Sequence, residues 1–220
     1  MDKKELEELG ICSYDHLQRA IEAGDQEKAL QLLEEIKQGV EFYTLKRTRW
    51  IDLLFRFIQE KLGDEGVIEA QLRFDKELVR PYLVPEGVDP AKWSAEDKVR
   101  ARARGWMFQH LMTKNMQIDE DEEKFTFRIP CNTAGPLKMT GKYAKTKEAV
   151  PSLGIEEGFP LYCVQSIITE VETLRQLGFP LWFSERKERG EDGCVLYIYK
   201  DTGKVPKEYF ESLGFEKKER

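Results

Sequence analysis

One pattern constrains the fold of this chain more than any other, a stripe of residues at alternating intervals of four and three. The stripe consists of Ala29, Leu33, Ile36, Val40, Tyr43, Arg47, Trp50, Leu54 and Phe57. This spacing predicts one continuous helix over residues 26–62, about 55 Å long. Arg47 interrupts it, either fixing the register of paired helices or extending its long side chain to the edge. The stripe packs between helices of one chain or, if exposed, against a second copy.

The rest of the first half is also predicted to be helical. The expected helices cover residues 14–23, 26–62, 65–79 and 94–115, with an irregular loop over 81–93. Gly39 is expected to kink the long helix, because glycine is unfavourable inside a helix. Ser94 followed three residues later by Asp97 resembles a capping box that opens the last of these helices.

The second half changes period. Alternating apolar and polar residues predict a strand over 125–129, and two further strands over 179–185 and 194–199 form a hairpin. A long loop over 136–158 precedes a helix over 160–177, and a short helix follows at 206–213. The sequence therefore predicts an α+β fold, in which an N-terminal antiparallel helical layer packs on a small, mainly antiparallel sheet with one further helix. The expected division is a helical region, 1–118, and an α+β region, 119–220, or one continuous domain.

Composition excludes several classes of protein. The 220 residues carry 35 Lys and Arg against 41 Asp and Glu, a net charge of −6, which argues against a general nucleic-acid binder. No run of about 20 apolar residues could span a membrane, and the first residues do not resemble a signal peptide. Four cysteines lie far apart without a Cys-x-x-Cys pair, which is typical of reduced thiols. A cytoplasmic protein that binds neither nucleic acid nor membrane is expected.

Two of the cysteines are predicted to have a function. Cys131 follows the first strand in a turn with Asn132, Thr133 and Gly135, whose backbone N–H groups could bind an anion. Cys163 falls in the first turn of a helix, where the helix dipole favours the reactive thiolate. The other two cysteines, Cys12 and Cys194, are expected to be ordinary packing residues.

The segment from Cys131 to Gly135, followed by Tyr162-Cys163-Val164-Gln165-Ser166, resembles a group of uncharacterised bacterial proteins with a helical first half. In that group a Cys- and Gly-containing turn precedes a helix that starts Tyr-Cys-x-His-Cys. The resemblance covers about the last hundred residues. Gln165 and Ser166 stand where the pattern has His and Cys, so the thiolate-rich metal site that it implies is weakened here.

These residues suggest two kinds of chemistry. In an enzyme, Cys131 would be the nucleophile or a metal ligand, Cys163 its partner, and His110 or Glu170 the proton carrier. Alternatively, Cys131, Cys163 and His110 form a three-ligand set for zinc or iron. The catalytic candidates are therefore Cys131, Cys163, His110 and Glu170.

Lysines in the long loop complete the predicted site. Lys138, Lys142 and Tyr143 lie beside the turn, in a loop that could close over an anionic ligand. We therefore expect a soluble small-molecule-binding protein or enzyme, with a thiol-centred site, with or without a metal, for a small anionic or carbonyl compound. The alternative is a non-catalytic ligand-sensing or protein-interaction module that forms a homodimer through its long helices.

Overall fold

The computed structural model describes residues 11–84, 87–109, 115–130, 134–185 and 193–217. The chain divides into two compact units, one up to Thr44 and one from Leu45 onward. The first unit contains α1 (Ser13–Glu22) and the beginning of α2 (Gln26–Phe74). The remaining elements belong to the second unit.

The start of α2 follows the sequence prediction. Gly24 ends the preceding segment with a positive φ of 70°, a conformation that glycine adopts without strain. The Asp25 carboxylate then accepts a hydrogen bond from the backbone N–H of Lys28 at 3.1 Å, satisfying one free donor of the new helix. The predicted helix over 14–23 is therefore confirmed, and Asp25 caps the helix that follows it.

The long helix is interrupted at Gly63 and not at Gly39. Gly63 has φ 72° and ψ −172°, whereas Gly39 keeps helical torsion angles. The expected kink at Gly39 is wrong, because one glycine costs only about 1 kcal/mol and the helix formers around it outweigh that cost. The predicted restart of the chain at Gly63 is confirmed.

After Phe74 the helix widens into a π-helical turn, Asp75–Val79, and continues as α3 (Arg80–Leu83). The prediction that it stops before Pro81 is therefore wrong. Proline lacks an N–H and its ring crowds the preceding turn, and the wider π turn accommodates both effects. The buried residues of this stretch recur every four positions: Val67, Gln71, Asp75, Val79 and Leu83.

The predicted capping box opens α4 (Ala95–Gln109). The backbone N–H of Ser94 donates to the Asp97 carboxylate, and the backbone N–H of Asp97 donates to the Ser94 hydroxyl, both at 3.1 Å. Residues 110–114, over which the prediction extended this helix, lie outside the described residues.

A four-stranded antiparallel sheet with the order β1-β2-β4-β3 forms the other layer. Its strands are β1 (Gln117–Glu120), β2 (Lys124–Ile129), β3 (Phe183–Ser184) and β4 (Cys194–Tyr199). Phe127 of β2 pairs with Leu196 of β4 at its centre, and both are fully buried. The predicted strand over 125–129 and the antiparallel pairing of the last two strands are confirmed, although β3 is shorter because Leu181 and Trp182 enter the core.

The acidic run expected at the domain border is part of this sheet. The Asp121 carboxylate accepts hydrogen bonds from the backbone N–H groups of Glu123 and Lys124, each at 2.8 Å, and turns the chain from β1 into β2. These two hydrogen bonds hold the pKa of Asp121 below its usual value. The predicted boundary between residues 118 and 119 falls within β1.

The segment predicted as a long loop is more ordered than expected. It begins with α5 (Ala134–Met139) and contains a 3₁₀ turn, Pro151–Leu153. The backbone N–H of Ala144 donates to the Asp52 carboxylate of α2 at 2.7 Å, which attaches the segment to the long helix. Buried leucine and isoleucine side chains, which a periodicity search does not reveal, hold the rest of it against the core.

Two further helices complete the second unit, α6 (Leu161–Leu177) and α7 (Lys207–Glu211). Gly178 ends α6 with a φ of 73°, as predicted. One face of α6 fills an apolar cluster with Val67, Ile155 and Phe210. A second cluster lies on the sheet and includes Trp106 of α4. The fold is α+β, as the sequence predicted.

Candidate functional site

Helix α6 carries two of the predicted catalytic residues. Cys163 lies in its first turn and is half-buried, with its backbone N–H donating to the Pro160 carbonyl at 2.9 Å. Glu170 lies seven residues later, which places it about 10 Å further along the helix axis. The two residues therefore share one side of α6 but are two turns apart.

The Glu170 carboxylate joins three elements in the interior. It is only 1% exposed, and its oxygens accept hydrogen bonds from the backbone N–H of Ser184 at 2.7 Å and from the Tyr209 hydroxyl at 2.6 Å. The Tyr209 ring packs on Phe183 with centroids 4.8 Å apart. Glu170 thus connects α6 to β3 and α7, a role in the fold that its predicted use as a proton carrier did not include.

The most unusual group near Glu170 is Arg102 of α4, which packs against β4. Its side chain is 3% exposed, and its guanidinium lies 5.0 Å from the centroid of the Trp106 ring and 4.2 Å from that of Trp182. Both are cation–π distances. We call Arg102, Trp106 and Trp182 the Arg102 centre.

Burial controls the ionisation of Arg102. It lowers the pKa of the guanidinium to about 9, while electrostatic interactions with Glu170 and Cys194 oppose the shift. At neutral pH the group is therefore still a cation, held in a region where a bare charge is costly. Cys194, expected only to fill space, lies half-buried at the start of β4, within electrostatic reach of that cation.

Two N–H donors of the Arg102 centre are available to a ligand. Arg102 Nε and Trp182 Nε1 are buried, and neither has a hydrogen-bond partner within the described part of the chain. The nearest negative charge on α6, Glu170, already accepts from Ser184 and Tyr209. The centre therefore combines a positive charge with two N–H donors, the features that bind an anion.

The sequence prediction missed this centre. Arg100 and Arg104, two positions to either side of Arg102 in the sequence, are exposed. The available signal was the four-residue spacing of Lys98, Arg102 and Trp106, which places them on one helix face. Lys98 is also buried, with its ammonium 5.3 Å from the centroid of the Phe179 ring.

The other predicted ligand-binding residues are distributed as follows. Gly135 is buried inside α5, Lys138 and Tyr143 are half-buried, and Lys142 is exposed. The Tyr143 ring contacts the Lys145 ammonium at 4.8 Å. Backbone N–H groups of 147 and 148 donate to the Asp64 carboxylate, so this stretch is attached to α2 and is not the free flap that was expected.

The remaining predicted site residues are Cys131, Asn132, Thr133 and His110, and all four lie outside the described residues. Their predicted approach to Cys163 stays a prediction. Within the residues that the structure describes, no three His, Cys, Asp or Glu side chains cluster as metal ligands do. Cys12, expected to be a packing residue, is exposed.

Comparison with known proteins adds no further constraint. The chain matches no family model, no curated protein sequence and no solved structure. Among the described residues, no helix has the length and apolar character needed to cross a bilayer. The geometry of the Arg102 centre is therefore the basis for a functional proposal.

Proposed function

We propose that the protein binds a small anionic compound, with a carboxylate as the preferred group, at the Arg102 centre. The observation that carries the proposal is a buried guanidinium whose Nε has no hydrogen-bond partner among the described residues. A planar carboxylate matches the fork of guanidinium donors and forms two parallel hydrogen bonds with it.

The surroundings of Arg102 favour an organic anion. The large apolar rings of Trp106 and Trp182 both lie within cation–π distance of the guanidinium, and these rings favour a ligand with an apolar body. Trp182 Nε1 supplies a further donor. An anion would also relieve the cost of keeping the positive charge in a dry environment.

The proposal concerns binding and assigns no reaction. Thiol chemistry at Cys131, with Cys163 as its partner, remains part of the wider proposal of a thiol-centred site. Cys194 is the thiol that supports such chemistry near Arg102, because it interacts electrostatically with the guanidinium. A bound carboxylate or carbonyl compound at Arg102 would lie in the same region as that sulfur.

Calorimetric titration and thermal unfolding with acetate and benzoate test the proposal, with chloride and phosphate compared at the same ionic strength. We expect saturable binding of a carboxylate, and a stronger effect for benzoate because of its apolar ring. Arg102→Met should abolish binding, and Arg102→Lys should weaken it about 10-fold, because lysine keeps the charge but loses the planar fork.

Two further variants separate binding from folding. Arg104→Met changes an exposed arginine on the same helix and should bind as the wild type does. Trp182→Phe keeps an aromatic ring beside Arg102 but removes the unpartnered N–H together with the second ring of the indole, so it should bind several-fold more weakly while remaining folded by circular dichroism. The proposal is wrong if the wild type binds none of these anions, or if Arg102→Met binds them equally well.

A further inference from the structure

A band of exposed apolar side chains lies on α2 within the second unit. Its members are Trp50, Leu53, Leu54 and Phe57, and Trp50 is the most exposed at 67%. We call these four residues the outer face. They fall at intervals of three and four, so they lie along one side of the helix.

The opposite side of the same helix packs inward. Thr48 and Asp52 are almost fully buried, and the Asp52 carboxylate accepts from the backbone N–H of Ala144 at 2.7 Å and from Arg56 Nε at 2.9 Å. Phe55 packs against the apolar cluster beneath. The helix therefore cannot roll to bury its outer face without leaving the Asp52 carboxylate and the Ala144 amide unpaired.

We propose that the outer face is the interface with a second copy of this chain, packed antiparallel along α2. Three-and-four spacing is the pattern that places side chains of one helix between those of a second helix with the same spacing. A second copy supplies that spacing, and a two-fold axis between Leu53 and Leu54 would set Trp50 of one copy beside Phe57 of the other.

The area of the outer face agrees with a pair of copies. The two aromatic side chains each expose on the order of 100 Å² or more, and the two leucines somewhat less. Together these four side chains expose on the order of 500 Å² in each copy. The total of about 1,000 Å² reaches the lower limit for a specific interface.

Charge selects the antiparallel arrangement. Residues 45–62 contain five basic side chains and two acidic ones, so parallel copies in register would place lysine and arginine against themselves. In the antiparallel arrangement Glu60 of one copy lies level with Arg47 of the other, and Lys61 lies level with Lys46. The same contact occurs twice because the interface is symmetric.

Light scattering and sedimentation of the full chain over a range of concentrations test the inference. We expect a dimer for the wild type and, for Leu53→Glu, a dissociation constant raised about 30-fold or more. The matched control is Leu78→Glu. Leu78 is also a helical leucine with 62% exposure, the same value as Leu53, but it lies outside the outer face. That variant should dimerise as the wild type does.

A cross-linking experiment tests whether the outer face forms the contact between the two copies. Leu54→Cys should form a covalent dimer under mild oxidation well above the wild-type background, because residue 54 lies next to the two-fold axis. Leu78→Cys should stay at that background. A wild-type chain that is monomeric at every concentration would overturn the inference.

An anionic lipid surface is the competing occupant, since the outer face is flanked by basic residues. If the wild-type chain is a monomer that sediments with phosphatidylserine vesicles, and Leu53→Glu abolishes this binding, the outer face binds a membrane. That result would overturn the proposed dimer. A dimer that Leu53→Glu and Leu78→Glu weaken equally would also contradict the proposed interface.

Discussion

The Arg102 centre and the outer face of α2 contrast within one unit of the molecule. Arg102 is a charge in the interior, whereas Trp50 and its neighbours are apolar groups in solvent. Two indole rings and the charge of Glu170 stabilise the Arg102 cation in the interior. The side chains of the outer face are between 42% and 67% exposed. Our two proposals assign the interior centre to a ligand and the outer face to a second copy of the chain.

Among the substitutions near the Arg102 centre, the removal of Glu170 should lower the free energy of unfolding most. Glu170→Ala takes away the negative charge near Arg102 and removes the carboxylate that accepts hydrogen bonds from the Ser184 N–H and the Tyr209 hydroxyl. We expect a loss of about 3–5 kcal/mol in the free energy of unfolding, measured with urea. The exposed Glu157 gives the control, because Glu157→Ala should change stability by less than about 0.5 kcal/mol. A loss below about 1 kcal/mol for Glu170→Ala would show that Arg102 does not depend on it.

Truncating one leucine in each environment compares the two regions directly. Leu196→Ala, in the centre of the sheet, should cost about 2–5 kcal/mol because it leaves a cavity. Leu53→Ala should cost less than about 0.5 kcal/mol in the isolated chain, where this residue is exposed. Urea unfolding at the lowest practical protein concentration makes the measurement, since dimerisation adds stability as concentration rises. Equal losses at both positions would contradict the exposure of the outer face.

A smaller loss of stability is expected from a substitution at Thr169, where α6 contacts the π turn. The Thr169 hydroxyl donates to the Asp75 carboxylate at 2.5 Å, and Thr169→Val removes this donor without changing the shape of the side chain. The loss should be about 1–3 kcal/mol, because a buried acceptor loses a hydrogen bond. In the background of Asp75→Asn the same substitution should cost less, and additive losses would show that the two side chains are not coupled.

The smallest expected effect is a pH dependence of the free energy of unfolding, caused by Asp75. Burial is the main cause that raises the pKa of Asp75, with a further contribution from Glu172, against the opposing hydrogen bond from Thr169 and the charge of Arg80. A raised pKa means that the folded state binds a proton more strongly than the unfolded state does. Asp75 therefore favours folding most below the ordinary carboxyl range near pH 4, and this contribution is lost as pH rises through the raised pKa.

Asp75→Asn provides the measurement for that dependence. We expect the stability of the wild type to fall relative to this variant between pH 3 and pH 7, as judged from urea unfolding at each pH. A difference that stays constant, or that grows in favour of the wild type, would show that the ion pair with Arg80 outweighs burial.

Much of the fold was predictable because its signals are local. The cap at Ser94, the end of α6 at Gly178 and the alternation of β2 each depend on residues a few positions apart. Strand β1 was not predicted, because its sequence reads as a run of acidic residues. Only its pairing with β2 and the turn at Asp121 make it a strand.

The candidate site was less predictable for the same physical reason. Whether Arg102 points to solvent or to the core depends on Trp182, eighty residues away, and on the packing of α4 over β4. The heptad spacing correctly located the long helix, but spacing alone does not tell an internal contact between helices from an external one. Exposure of Trp50 and Phe57 provides that distinction.

The π turn at Asp75–Val79 has a consequence for how this chain tolerates insertions and deletions. A regular helix advances about 100° per residue, so residues four apart gradually move off one side, and the wider turn reverses that drift. Deleting Lys76, an exposed residue of the turn, would swing Val79 and Leu83 by about a quarter of a revolution and withdraw them from the sheet. The length of this segment should therefore be fixed more strictly than the identity of its solvent-facing residues.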